Sequence, residues 1–118
     1  MKKFIRILTV CCLTVFMVNM AGAYTNRGTA VLRVMDKAAG KVTELKITTG
    51  GTIDFEKIRI TVNACKQTDP FDAENFYAFV VINRADGTHI FSNWMDRNNP
   101  GRQPVQDADY DVWLVNCE

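Results

Sequence analysis

Apolar and polar side chains alternate along much of this chain with a period of two. The segment 41–48 alternates cleanly, and the segment 57–64 alternates again and is followed by Cys65, with Ala64 among its inward positions. A period of two places successive side chains on opposite faces, so each segment is predicted to be a β-strand with one face on a core. β-branched and aromatic residues predict further strands at 29–35, 52–55, 74–83, 88–95 and 110–116.

The segment 74–83 is apolar on both faces, which predicts a central strand that is covered on both sides. A helix is the alternative for such a run, but its β-branched and aromatic content favours a strand. The Asp86-Gly87 pair that follows is typical of a hairpin turn. Six or seven short strands, frequent turn signals and no amphipathic helix predict an all-β fold, a small antiparallel sandwich or barrel.

The first 23 residues have the composition of a secretory signal peptide. Lys2, Lys3 and Arg6 form a basic start, a mainly apolar stretch extends to Val18, and small residues occupy 21–23. This arrangement is typical of a segment that a signal peptidase removes. We therefore expect cleavage after residue 23 and a mature protein in the periplasm or outside the cell.

Two other fates of this segment agree less well with its composition. A retained anchor would need about 20 apolar residues, whereas the stretch 7–23 is shorter and contains Asn19. Lipid attachment at Cys11 or Cys12 would need small residues just before the cysteine, and these cysteines lie too early in the apolar stretch. Cleavage leaves residues 24–118 as a single β domain without a membrane span.

Removal of the signal changes both the charge and the cysteine count. Three of the 14 basic residues and none of the 13 acidic ones lie in the removed part, so the domain keeps eleven basic residues and a formal charge of −2. A slightly acidic domain without a basic stripe argues against nucleic acid as a partner. Of four cysteines only Cys65 and Cys117 remain, and an even pair in a small exported domain predicts one disulfide.

Metal and cofactor signals are weak throughout the chain. The segment 107–111, DADYD, resembles the start of a calcium loop, but the sixth position, which needs glycine, is Val112. One histidine and two cysteines that are expected to oxidise do not supply a zinc site. Phosphate-binding loops and dinucleotide fingerprints are absent from the sequence. We therefore expect no metal and no cofactor.

Asp86, His89 and Ser92 supply the residue types of a hydrolytic triad. Their spacing argues against one, because an odd separation on a strand is expected to put His89 and Ser92 on opposite faces. The G-x-S-x-G elbow that exposes a nucleophilic serine does not precede Ser92. We therefore expect no catalytic residues.

Large side chains near the carboxyl end form a candidate partner surface. On the segment 110–117, Tyr110 faces one side, while Trp113 shares the other side with Asp111 and Cys117. Since both sides carry a large aromatic, at least one is expected to be exposed to a partner or an extended ligand; the alternative is that the tryptophans are core. The candidate surface, next to the loop 96–109, comprises Phe91, Trp94, Met95, Tyr110, Asp111 and Trp113.

The same segments carry a family resemblance. TAVLRVMDK at 29–37, ITVNAC at 60–65, FSNWM at 91–95 and YDVWLVNC at 110–117 occur in this order. In this combination the chain resembles an uncharacterised family of exported alphaproteobacterial proteins, the domain of unknown function (DUF) 2155. The resemblance implies a small exported β domain with a disulfide between the two remaining cysteines, and it implies no known activity. In members of that family, this segment resembles W-M-F-A-S-S-P, followed by H-P before Y-D-V-W. This chain departs from that pattern in the loop 96–109.

The predicted export, the small size and the lack of a recognisable combination of catalytic residues favour a non-enzymatic binding or scaffolding module of the cell envelope. Its partner would be a protein or another envelope component. The alternative is an enzyme or enzyme inhibitor that acts on envelope material. A carboxylate with a perturbed pKa in a cleft, such as Glu74 or Asp111, would favour this alternative. A third reading is a structural part of an outer-membrane assembly whose edge strand pairs with a partner sheet.

Overall fold

The computed structural model describes residues 24–68 and 73–118. The predicted signal peptide lies outside the described residues, as do positions 69–72 of the loop that follows Thr68. Within the described residues, no helix is long and apolar enough to cross a membrane. Eight strands are observed: β1 Tyr24–Asn26, β2 Thr29–Asp36, β3 Lys41–Thr48, β4 Thr52–Phe55, β5 Ile58–Thr68, β6 Phe76–Arg84, β7 His89–Asp96 and β8 Tyr110–Cys117.

The strands form two antiparallel sheets that pack as a sandwich. One sheet has the order β1-β5-β6-β7, with β4 also paired to β5, and the other has the order β3-β2-β8. The inward side chains of both sheets, including Leu32, Ile60 and Val80, form one buried core. This confirms the all-β sandwich prediction and adds β1, which at three residues is too short to show a period.

A bulge in β5 decides which of its side chains enters the core. The register against β6 shifts between Val62 and Ala64, so that Asn63 has no partner. Because an extra residue reverses the faces of everything after it, Cys65 faces the core beside Ala78 and is fully buried. The prediction that Ala64 points inward is therefore wrong, since the alternation does not continue through the bulge.

A second bulge, in β8, has the same effect on the other cysteine. The register against β2 passes from Leu114 to Asn116 and omits Val115. Cys117 consequently turns inward and is buried, whereas Trp113 stays on the outer face. The prediction that Cys117 shares a face with Trp113 is wrong for this reason.

The Cys65–Cys117 disulfide is confirmed. The two Cα atoms lie 5.7 Å apart, and the cysteines are separated by 52 residues in the chain. This distance is within the usual range for a disulfide. Since β5 and β8 belong to different sheets, the bond connects the two layers through the core.

β6 is central in its sheet but is covered on one face only. Its inward residues, from Phe76 to Ile82, are buried, whereas the outward residues Tyr77, Phe79 and Val81 are half-buried. The expectation of a doubly covered strand is wrong, because in the described part of the chain the second sheet packs on the inner face alone. The outer face of β6 therefore presents aromatic rings at the surface.

Candidate functional site

Three of the six predicted surface residues lie in the core. Phe91 and Met95 point inward from β7, and Tyr110 points inward from β8, with exposed fractions of 8%, 5% and 4%. Phe91 and Met95 are paired with Ile82 and Ala78, which are buried. These three side chains are not available to a partner, which corrects the surface predicted from the sequence.

Tyr110 connects the two sheets through its hydroxyl group. The hydroxyl donates a hydrogen bond to Glu56 Oε1 at 3.1 Å and accepts one from the backbone N–H of Lys57 at 3.3 Å. Glu56 has a φ of 50°, so these bonds support a left-handed turn between β4 and β5. Burial is the main reason that the pKa of Tyr110 is raised.

Replacing Tyr110 with Phe is expected to make the free energy of unfolding fall less steeply as the pH rises into the alkaline range. A raised pKa means that the folded protein retains the phenol proton longer than the unfolded chain does. The stabilisation is therefore complete below the ordinary pKa of about 10 and is lost as the pH rises through the raised value. Urea unfolding at several pH values from 9 to 11 measures this; identical pH slopes for Tyr110→Phe and the unmodified protein would contradict it.

Trp94 lies at the surface in a fixed orientation. It projects from β7 on the outer face of the five-stranded sheet and is 39% exposed. Its ring meets that of Phe79, its cross-strand neighbour, edge to face with centroids 5.4 Å apart. Lys66 Nζ lies 5.4 Å from the centroid of the Trp94 ring, within range of a cation–π interaction.

A groove opens beside Trp94 on the same face. It is lined by Tyr24, Lys66, Tyr77 and Trp94 and has a volume of about 210 Å³; we call it the aromatic groove. The rings of Tyr24 and Tyr77 meet edge to face with centroids 6.0 Å apart. Since Tyr24 is 54% exposed, two large rings of the groove offer much of their surface to a ligand.

A smaller polar hollow adjoins the aromatic groove and shares Tyr77 and Trp94 with it. Its volume is about 190 Å³. Asn93 Nδ2 donates a hydrogen bond to Gln103 Oε1 at 2.9 Å, which fixes the two amides relative to each other. The polar side chains that line the hollow are Asn93, Asp96, Arg102 and Gln103.

Two cations and one carboxylate line these two depressions: Lys66 lines the aromatic groove, and Arg102 and Asp96 line the polar hollow. In the described ranges, the ion pairs include neither Lys66 nor Arg102. The carboxylate of Asp96 accepts hydrogen bonds from Asn75 Nδ2 at 2.7 Å and from the backbone N–H of Asn98 at 3.0 Å. One cation therefore lines each depression and remains available to an anionic group.

Trp113 and Asp111 lie on a different surface from Trp94. They border a hollow of about 430 Å³ on the outer side of β8, which the loop residues Pro100 and Pro104 also line. Arg102 and Gln103 of the same loop line the polar hollow instead. The loop between β7 and β8 thus separates the two tryptophans, and the six predicted residues do not form one surface.

Ion pairs and hydrogen bonds fix the carboxyl-terminal part of that loop. The nearly buried carboxylate of Asp107 pairs with Arg84, which also contacts Asp109 Oδ2 at 3.2 Å. Lys37 Nζ donates a hydrogen bond to the carbonyl of Asp107 at 2.6 Å and lies 3.5 Å from Asp111 Oδ1. These contacts hold the loop against the ends of β2 and β6.

The residues of the hypothetical triad are engaged in local contacts. A register shift near Ile90 places His89 opposite Asn83 and Ser92 opposite Val81, both on the outer face, so the inference from odd spacing is wrong. His89 Nδ1 lies 2.9 Å from Asn83 Oδ1, and Asp86 Oδ1 accepts a hydrogen bond from the backbone of Thr88. Over the ranges 24–68 and 73–118, no three potential metal ligands cluster.

Sequence reasoning missed four residues around Trp94, namely Tyr24, Lys66, Tyr77 and Phe79. The signal for two of them was present: Tyr77 and Phe79 alternate with the inward positions of β6, and the Asp86-Gly87 turn brings β6 against β7. A domain with two sheets has no third layer for those outward rings. Tyr24 and Lys66 gave no comparable signal, because the pairing of β1 with β5 brings Tyr24 to this face, and the bulge in β5 and its pairing with β6 bring Lys66 there.

Comparison with known proteins identifies a family. The family model described as "Uncharacterized protein conserved in bacteria (DUF2155)" matches residues 30–117. No curated protein and no solved structure matches the chain.

Proposed function

The chain belongs to the uncharacterised bacterial family DUF2155, and from this premise we propose that it is an exported, non-enzymatic binding module of the cell envelope. The aromatic groove is the observation that carries the proposal. Tryptophan and tyrosine supply large contact areas at little cost in side-chain entropy, which is why they are frequent at binding surfaces. Here Tyr24, Tyr77 and Trp94 lie together on the outer face of one sheet.

The groove is preorganised for binding. Trp94 is held by Phe79 on its own sheet, and Tyr77 is held by Tyr24. The rings of Tyr77 and Trp94 belong to the paired strands β6 and β7 rather than to a loop. A ligand would therefore bind without ordering these side chains first, which reduces the entropy that association costs.

The chemistry of the core supports export. The Cys65–Cys117 disulfide is buried between the sheets, and structural disulfides of this kind are typical of oxidising compartments such as the periplasm. The signal-like composition of residues 1–23 agrees with the same destination. Together they support a protein that works outside the cytoplasm.

Replacing Trp94 with Ala is expected to weaken binding to the cell envelope while the fold remains intact. The test uses protein purified from the periplasm of expressing cells and follows its co-sedimentation with a washed envelope fraction. We expect the variant to lose about tenfold or more in affinity, since truncating a central aromatic residue commonly costs above 1 kcal/mol. Thermal unfolding should shift little, because the Trp94 side chain is exposed.

Val42→Ala is the matched control. Val42 is 49% exposed and lies on the outer face of the other sheet, so its truncation removes a comparable kind of apolar surface elsewhere. The control should sediment with the envelope as the unmodified protein does. If Trp94→Ala sediments with the envelope fraction as well as Val42→Ala does, the aromatic groove is not the binding surface. If Trp94→Ala unfolds, the Trp94 side chain contributes to the stability of the core.

A further inference from the structure

We infer that the aromatic groove and the polar hollow together bind an acidic carbohydrate chain, an inference that rests on the proposed function. Sugar rings would lie against the rings of Tyr24, Tyr77 and Trp94, and the carboxylates of the chain would meet Lys66 and Arg102. The two depressions share Tyr77 and Trp94, so one extended ligand can occupy both.

The aromatic side chains suit the faces of sugar rings. A pyranose ring presents C–H groups on its faces and hydroxyl groups around its edge, so a flat aromatic ring covers the apolar face and leaves the hydroxyls accessible. Tyr24 and Trp94 are the exposed rings of the groove. Their polar atoms, one phenol hydroxyl and one indole N–H, can also contact hydroxyl groups at the rim.

The polar hollow supplies partners for the hydroxyl groups. Asn93 and Gln103 hydrogen bond to each other through one donor and one acceptor. Each amide keeps further hydrogen-bonding capacity, because Asn and Gln carry two donors and an acceptor with two lone pairs. Fixed amides beside an aromatic ring match a ligand that alternates hydroxyl edges with apolar faces.

The charges favour an acidic chain over a neutral one. Lys66 lines the aromatic groove and Arg102 lines the polar hollow, and neither has an ion-pair partner within the described ranges. Cleavage after residue 23 would add a third cation, the α-ammonium group of Tyr24, to a residue whose ring lines the groove. The carboxylate that also lines the polar hollow, Asp96, is engaged by Asn75 Nδ2 and by the backbone N–H of Asn98.

Proline-rich peptides are the other ligands that aromatic-lined grooves accept. Such a peptide would use the rings, and its backbone carbonyls could accept hydrogen bonds from the amides, but it would offer no anionic group to Lys66 and Arg102. Desolvating polar groups without pairing them reduces affinity. The polar hollow therefore favours the carbohydrate, and the test includes a proline-rich peptide as a competing ligand.

The test titrates periplasm-purified protein with three probes: an oligogalacturonate, a neutral cello-oligosaccharide of equal length and a proline-rich decapeptide. Binding is followed by calorimetry and by tryptophan fluorescence. We expect the acidic chain to bind at least about tenfold more tightly than the neutral one at low salt, with the difference shrinking as salt screens the charges.

Three charge variants locate the binding. Lys66→Gln and Arg102→Gln should each lower the affinity for the acidic chain about three- to tenfold and lower the affinity for the neutral chain by a smaller factor. The matched control is Arg59→Gln, which removes an exposed cation from the same sheet at a position paired with Asp54 rather than at the groove. The control should bind as the unmodified protein does.

The outcomes distinguish this inference from the proposed function. Equal affinity for acidic and neutral chains, or binding of the decapeptide alone, overturns the acidic carbohydrate. If envelope sedimentation then still depends on Trp94, the binding module stands with a different ligand. If the protein binds neither the carbohydrates nor the envelope fraction, both are overturned.

Discussion

Reducing the Cys65–Cys117 disulfide is expected to lower the free energy of unfolding by about 4 kcal/mol. On the chain-entropy model, this is the stabilisation from closing a loop of this length in the unfolded chain. The cysteines are 52 residues apart and join the two sheets through the core. Because a domain of this size has about 5–15 kcal/mol of stability in total, the reduced protein should lie near its folding limit at 37 °C.

Urea unfolding of the oxidised and the reduced protein measures the effect of the bond without changing any side chain. Cys65→Ala, Cys117→Ala and the double variant provide the comparison, since each lacks the same bond. All three should be destabilised by similar amounts, because the second substitution has no bond left to break. A reduced protein that unfolds at the same urea concentration as the oxidised one would show that the sheets hold together without the disulfide.

Replacing Asn75 with Ala is expected to cost about 2–3 kcal/mol of unfolding free energy. Asn75 is 8% exposed, and its side chain connects the start of β6 to the turn after β7. Its amide donates a hydrogen bond to Asp96 Oδ1 at 2.7 Å, and its carbonyl accepts from the backbone N–H groups of Phe76 and Asn98 at 2.8 and 3.0 Å. Truncation would leave the buried backbone N–H of Phe76 without its partner and remove one of the two hydrogen bonds to Asp96 Oδ1, and an unpaired buried donor costs more than the bond itself contributes.

Asn98→Ala is the matched control for this prediction. Asn98 is an exposed residue in the same network, and its side chain donates a hydrogen bond to the Glu74 carbonyl at 2.8 Å and accepts one from Arg97 Nε at 3.0 Å. Its loss should change stability by about 0.5 kcal/mol or less, as is usual for exposed positions. Chemical denaturation of both variants tests the contrast; comparable losses would mean that burial at Asn75 does not set the cost.

The Asn75 variant should also disturb the binding surface. Asp96 lines the polar hollow, and Asn75 is one of the two groups that orient its carboxylate. The predicted consequence is weaker binding to the envelope even under conditions in which the variant is fully folded. Asn98→Ala retains the Asn75 contact and serves as the reference in that assay as well.

Local patterns predicted most of the strands. The predicted bounds of β3 and β4 agree with the structure, those of β2 and β8 differ by one residue at the carboxyl end, and those of β7 differ by one residue at each end. These segments alternate strongly or carry β-branched residues, and the sandwich follows from burying their apolar faces together. The pairing of Cys65 with Cys117 was also accessible, because the predicted signal removes the other two cysteines.

The candidate site was predicted only in part. The sequence left open whether Trp94 is exposed or core, and the structure places its ring at the surface, whereas Phe91, Met95 and Tyr110 belong to the core. Period-two reasoning treats both faces of a strand alike until the position of the second sheet is known. It therefore did not separate the inward Phe91 from the outward Trp94.

The sequence by itself determined every strand but β1, the turns between them and the two cysteines that remain after the predicted cleavage. The tertiary structure decided which way those strands face, because bulges at Asn63 and Val115 reverse the alternation and turn both cysteines into the core. It also brought Tyr24 and Lys66 beside Trp94, since the pairings of β1 with β5 and of β5 with β6 depend on contacts between residues distant in the chain. Local periodicity contains no information about a register shift or a long-range pairing, and the aromatic groove depends on both.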